Sequence, residues 1–383
     1  MSSGHAAPAR PRLDALQALR ALAAGLVVFD HAAAGFLEHF HPGTEIPSAV
    51  WFAGALGVKV FFGISGYIIY LSTRSLAPGW AGASDFFRRR LIRVVPLYWM
   101  ATLLYGLRLS LRGDAPGLGA WVMSLLFLPF SSGGAEMRPI VGVGWSLNFE
   151  MFFYAVLGLC LLLPRRASAW AALALLSGVL SLRLGGALGT AASTPGQLDF
   201  SLLADPILGF FMAGVLVAKA EPALRRWLGR RGPGFGIAAA CSCGLPLALT
   251  AAVWFGAVST PQADRWAPLV GIAALLCCAL EQHGPAPAGS TLRRVLVGAG
   301  DASYSTYIVH TFALNALLWA ALHLAGAGLG SWPVGAYAVA IAILGSGIGW
   351  LTFEAVERPT MRWLNARLLA PRRPAAMAPA GPT

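Results

Sequence analysis

Charge is scarce in this chain. Asp, Glu, Lys and Arg make up 11% of its 383 residues, 57% are hydrophobic, and the mean hydropathy is +0.66. So little charge argues against a water-soluble fold of this length. Strand-type alternation of polar and apolar residues is missing too, which argues against a β-barrel. Acidic residues number 16 against 28 basic ones, a net charge of +12. The basic residues are scattered over separate short segments and form no stripe, so they read as membrane topology, not as a nucleic-acid surface. Cysteine is limited to five, all in apolar segments and none at metal-ligand spacing, so neither a disulfide framework nor a zinc site is expected. The first twelve residues hold no apolar stretch, so a removable signal peptide is not expected either.

What is abundant is long apolar runs. A bilayer core about 30 Å thick needs about 20 mostly apolar residues per helix. Such runs fall near 14–37, 50–71, 94–111, 143–163, 168–188, 199–218, 235–257, 266–281, 301–325 and 334–355. The expectation is an all-α polytopic integral membrane protein with ten transmembrane helices. An eleventh run, 118–130, is too short to span and reads as a re-entrant or interfacial helix. With the amino terminus inside, 21 of the 28 basic residues fall in cytoplasmic segments, in groups at 10–12, 74–93, 165–166, 219–231, 293–294 and 358–373. Arg138 and four other arginines fall outside, and Arg20 and Lys59 lie within spans. Both termini are then cytoplasmic. Residues 1–12 form a cytoplasmic segment, 13–365 the transmembrane domain, and 366–383 a disordered cytoplasmic tail.

Function is sought in the polar residues that a membrane disfavours, each costing at least about 2.5–3.5 kcal/mol within a span on insertion scales. The first span carries Arg20, Asp30 and His31. Eleven residues separate Arg20 from His31, three turns plus about 20°, so they share one face across a rise of roughly 16 Å. Arg90 and Arg93 stand one turn apart at the expected mouth of the third span, a placement suited to gripping phosphate, or simply to anchoring topology. Asn148 and Glu150 lie about as deep in the fourth span as His31 in the first, so Glu150 is a candidate partner for the imidazole. Asp205 has a similar depth in the sixth span, and Tyr304 and His310 open the ninth. Tyr154 completes the candidates.

In order and spacing, LQALRALAAGLVVFDH, GVKVFFGISGYIIY, FFRRRLIRVVPLYW, VGWSLNFEMFFY and SYSTYIVH resemble the acyltransferase 3 family of membrane acyltransferases, over about residues 13–365. VGWSLNFEMFFY looks most like the family's exopolysaccharide-production branch. The resemblance implies ten transmembrane helices, an acyl-coenzyme A donor (acetyl above all) used as co-substrate with no bound cofactor, and a sugar hydroxyl as acceptor. It implies that Arg20 and His31 are the family's arginine–histidine pair, Arg90 and Arg93 its donor-binding arginines, and Glu150 its buried glutamate. Lys59 and Gly209 stand where many members carry an acidic residue.

These residues suggest a mechanism in which Arg90 and Arg93 hold the donor's phosphates, the thioester reaches inward along the Arg20 line, and His31 is a general base or carries the acyl group. The partners expected are the bilayer, acyl-coenzyme A, a glycan or lipid-linked glycan acceptor and polysaccharide-synthesis proteins, with no nucleic acid. The alternatives are a glycolipid flippase, which the lack of an internal repeat disfavours, a structural assembly partner, and an acyltransferase for a small-molecule glycoside.

Overall fold

The computed structural model describes residues 13–131, 137, 139–186, 198–229, 232–281, 291–325, 330 and 332–369. The amino-terminal segment 1–12, the tail beyond 369 and the basic residues Arg138, Arg230 and Arg231 lie outside the described residues. Thirteen α-helices follow one another, with no β-strand among the described residues. They are α1 Asp14–Phe40, α2 Ser48–Thr73, α3 Trp80–Leu111, α4 Leu118–Leu125, α5 Trp145–Cys160, α6 Arg165–Leu184 and α7 Leu208–Leu228. Then come α8 Phe235–Trp254, α9 Thr260–Ala279, α10 Thr291–Asp301, α11 Ser303–Ala325, α12 Val334–Thr352 and α13 Arg358–Leu368.

A helix stands at each of the ten positions where a span is expected, and eight helical stretches are long and apolar enough to cross a membrane. The other two, α7 and α9, are 21 and 20 residues long and carry charged residues: Lys219, Glu221, Arg225 and Arg226 in α7, Asp264 and Arg265 in α9. The eight-residue α4 is far too short to span. The last helix runs to Leu368, three residues into the stretch expected as a disordered tail.

The centre of the bundle is α1, which packs against α2, α8, α9, α10, α11 and α12. Its alanines make this possible. Ala15, Ala18, Ala23, Ala24, Ala32, Ala33 and Ala34 are all buried, and small side chains let several helices approach one axis closely. The α2–α7 contact is also close, because a Cβ on Gly66 would collide with the carbonyl of Phe211 and one on Gly214 with the carbonyl of Gly63. Beyond it, an aromatic core stacks Phe153 on Phe211 at 4.3 Å, with Phe62 edge-on to Phe211 at 4.5 Å.

Two elements differ from expectation in ways that place the site. Helix α3 begins at Trp80, not near residue 94, so Arg88 to Arg93 lie on the helix and not at its mouth. Its first half is amphipathic, burying Gly82, Ala83 and Phe86 while Arg88 and Arg89 face out, and a basic run of this kind is easily mistaken for a loop. Helix α7 begins at Leu208, nine residues beyond the expected start, because Asp205 accepts the amide of Ile207 at 2.8 Å and Pro206 follows it.

Candidate active site

A cavity of about 710 Å³ opens between α1, α2, α3, α5 and α11. Its mouth lies at Arg89, Arg90, Met361 and Asn365, where α3 meets α13. Gln17, Arg20, Ser65, Glu150, Tyr154 and Tyr304 line it as well, together with Val58, Phe62, Ser146 and Tyr307. The Tyr307 hydroxyl donates to the carbonyl of Val143 at 3.0 Å and shares a 2.6 Å hydrogen bond with Ser146.

The cations of this cavity are not equivalent. Arg93 is ion-paired with Glu357, whose side chain is 2% exposed, and Glu357 also accepts from Ser305. Arg89 is paired with Asp85 at 3.0 Å. Among the described residues Arg90 meets the Ser72 hydroxyl at 3.3 Å and the face of Phe86 at 5.9 Å, and its buried Nε has no hydrogen-bond partner. Arg20 bonds Gln17 Oε1 at 3.1 Å. Among the described residues neither Arg20 nor Arg90 has a carboxylate within ion-pair distance, although Asp301 and Glu150 share the cavity wall and attract Arg20; Arg90 is the guanidinium best placed to accept an anionic ligand.

Glu357 was not foreseen from the sequence. It ends a π-turn, Phe353–Glu357, that joins α12 to α13. The wider turn shifts the register, so Glu357 points inward while its neighbours Glu354 and Arg358 pair with each other outside. The available signal was a glutamate closely following an apolar run, in FEAVERP.

Glu150 does not meet His31. Its Oε1 accepts from Tyr154 at 2.5 Å and from Ser65 at 3.3 Å. Gly54 lies against Asp30 and Gly57 against Ala23 and Val27, so α1 and α2 are antiparallel, and Ser65 stands roughly 16 Å further along from Gly54. That puts Glu150 near the depth of Arg20. The matched depths expected for Glu150 and His31 assume that α5 starts at the membrane surface. It starts instead inside the protein, after a buried segment containing Ile140, Val141 and Val143.

The carboxylate beside His31 is Asp30, at 3.2 Å from Nδ1. The same Nδ1 lies 2.9 Å from the Val27 carbonyl, to which it donates, leaving Nε2 as the basic nitrogen. The His310 ring packs edge-on at 4.9 Å. His31, Asp30 and His310 do not line the cavity. Of the remaining candidates, Tyr304 lines the cavity and donates to the Val94 carbonyl at 2.6 Å. Asn148 is buried behind the wall, donating to the Leu128 carbonyl at 3.3 Å. Asp205 is exposed, accepts the amide of Ile207 just before α7 and does not line the cavity. Lys59 pairs with Asp264 at 2.7 Å, also away from the cavity.

A family model described as "Acyltransferase domain" matches residues 13–352. The chain belongs to this acyltransferase family. It is 34% identical over 328 residues to the exopolysaccharide production protein ExoZ of Rhizobium meliloti (strain 1021), covering 82% of this chain and 92% of that protein. It is 29% identical over 397 residues to the acyltransferase MdmB of Streptomyces mycarofaciens, covering 96% and 95%. No solved structure matches. With eight helices apolar enough to cross a bilayer, this family member is a multi-pass membrane acyltransferase. Glu357 and α13 lie beyond the matched residues.

Proposed function

We propose that this acyltransferase moves an acyl group, acetyl above all, from cytoplasmic acyl-coenzyme A to a hydroxyl of an exopolysaccharide, another cell-surface glycan or its lipid-linked precursor. The observation that carries this reading is the cavity. Its wall carries two guanidiniums with no carboxylate within ion-pair distance among the described residues, Arg90 and Arg20, and His31 follows Arg20 by three turns on the same helix, α1.

In this reading α7 and α9 also cross the bilayer, which makes ten spans, and both termini and the cavity mouth face the cytoplasm. Arg90 takes the donor's phosphates, while Arg93, tied to Glu357, shapes the mouth. The pantetheine arm runs past Arg20, Glu150 and Tyr154. His31 Nε2 removes the proton of the acceptor hydroxyl, whose oxygen attacks the thioester carbonyl. The carbon–sulfur bond breaks, and the thiolate takes the proton back from His31. The products are the ester and free coenzyme A. Asp30 and the Val27 carbonyl hold the imidazole in the tautomer this needs.

The test uses the full chain in nanodiscs with acetyl-labelled coenzyme A and the cell's own surface polysaccharide, freed of esters by mild alkali. Label should appear on the polysaccharide as an alkali-labile ester. Donor binding without any transfer, together with movement of glycolipid between leaflets, would replace this reading with the flippase.

A further inference from the structure

His310 carries an unmet hydrogen-bonding capacity. It sits on α11 with no part of the residue exposed. Its Nδ1 lies 2.7 Å from the Tyr307 carbonyl, and because a carbonyl only accepts, Nδ1 carries the hydrogen. The lone pair of the neutral ring is therefore on Nε2, and that atom is buried with no hydrogen-bond partner among the described residues. A buried acceptor left unsatisfied costs free energy, so this atom calls for an explanation.

The neighbouring ring gives this acceptor its use. His31 lies edge-on to His310 at 4.9 Å with 75° between the planes. The two rings are anchored alike, each by Nδ1 to a carbonyl of its own helix, Val27 on α1 and Tyr307 on α11. They differ in access: the His31 side chain is 38% exposed, whereas His310 is sealed. His31 can therefore meet substrate and His310 cannot. Two imidazolium ions this close in buried surroundings repel each other, so the pair holds one positive charge at a time.

We propose that His310 is a positioning residue for His31, its anchored ring fixing the His31 edge and its unpartnered Nε2 stabilising the positive charge that His31 gains from the acceptor hydroxyl. This assignment rests on the proposed role of His31 as general base. It adds a neutral partner to the Asp30 carboxylate beside His31.

Two substitutions separate this role from packing. His310→Phe keeps a ring of similar shape but has no acceptor; His310→Gln loses the ring but restores an acceptor oxygen. Both are assayed in nanodiscs with labelled acetyl-coenzyme A and alkali-treated surface polysaccharide, with donor binding measured in parallel. Donor affinity and the KM for donor should stay at wild-type values in both. Loss of kcat should be about tenfold in His310→Gln and about 10²-fold or more in His310→Phe, the scale of a lost acid–base contribution. Equal or better kcat in the Phe variant than in the Gln variant overturns the proposal, because packing alone then explains the residue. A raised KM for donor with unchanged kcat overturns it too. Should the Phe variant fail to bind donor, His310→Met takes its place, with the same ranking expected. Absence of transfer by the wild type overturns the acyltransferase reading itself, whereas wild-type transfer with the ranking reversed overturns only the role of His310.

Discussion

The two arginines one turn apart on α3 look interchangeable in the sequence, and the structure predicts that they fail differently when removed. Arg90→Ala takes away a guanidinium with no carboxylate at ion-pair distance among the described residues, so little is left stranded behind it. Its cost is to the ligand: charge-assisted hydrogen bonds contribute about 1.5–3 kcal/mol, so acyl-coenzyme A affinity should fall about 10- to 150-fold with folding intact. Arg93→Ala leaves Glu357, 2% exposed, without an ion-pair partner among the described residues and with the Ser305 hydroxyl as its remaining hydrogen bond there. Removing one partner of a buried ion pair costs about 3–5 kcal/mol, so this variant should lose thermal stability in detergent. Adding Glu357→Gln to Arg93→Ala removes the stranded charge and should recover most of that stability. Equilibrium binding of labelled donor reads the effect of Arg90→Ala, and thermal unfolding followed by size-exclusion chromatography reads that of Arg93→Ala. The reasoning is refuted if Arg90→Ala binds donor normally, or if Arg93→Ala is as stable as the wild type while donor binding is lost.

His31→Ala should lower acyl transfer by about 10²-fold or more while leaving donor binding nearly unchanged, and His31→Gln should be no better, since an amide does not take up the proton; full transfer by either removes His31 from the chemistry. Glu150→Gln should be far milder in the same assay, because the amide oxygen still accepts from Ser65 and Tyr154. Gly214→Val should unfold the α2–α7 contact, since its Cβ meets the carbonyl of Gly63; overpacking costs about 1–3 kcal/mol or more, visible as lost thermal stability, and a variant as stable as the wild type would mean that the helices are not this close. Reporter fusions after Arg166 and Arg294 should locate to the cytoplasm and one near Gln262 outside; an outer location at Arg166 would mean that the 118–130 run, whose helix α4 has only eight residues, spans after all.

Composition and hydrophobic run length were enough to settle the class of this protein, because a bilayer imposes the same demand on every spanning segment whatever its neighbours. For the same reason helices stand at all ten expected positions, and the polar residues that stood out against apolar runs, Arg20, Glu150, Tyr154 and Tyr304, do line the cavity. Which of them meet depended on depth and register, and run length does not carry those. Glu150 was separated from His31 by a buried segment that starts α5 inside the protein. Asp205 was drawn off to start a helix, and Asp30 took the place beside the imidazole. Arg93 was set apart from Arg90 by a glutamate more than 260 residues away, turned inward by a π-turn. Local periodicity reports which face of a helix a residue occupies; only the packing of one helix against another decides what that face meets.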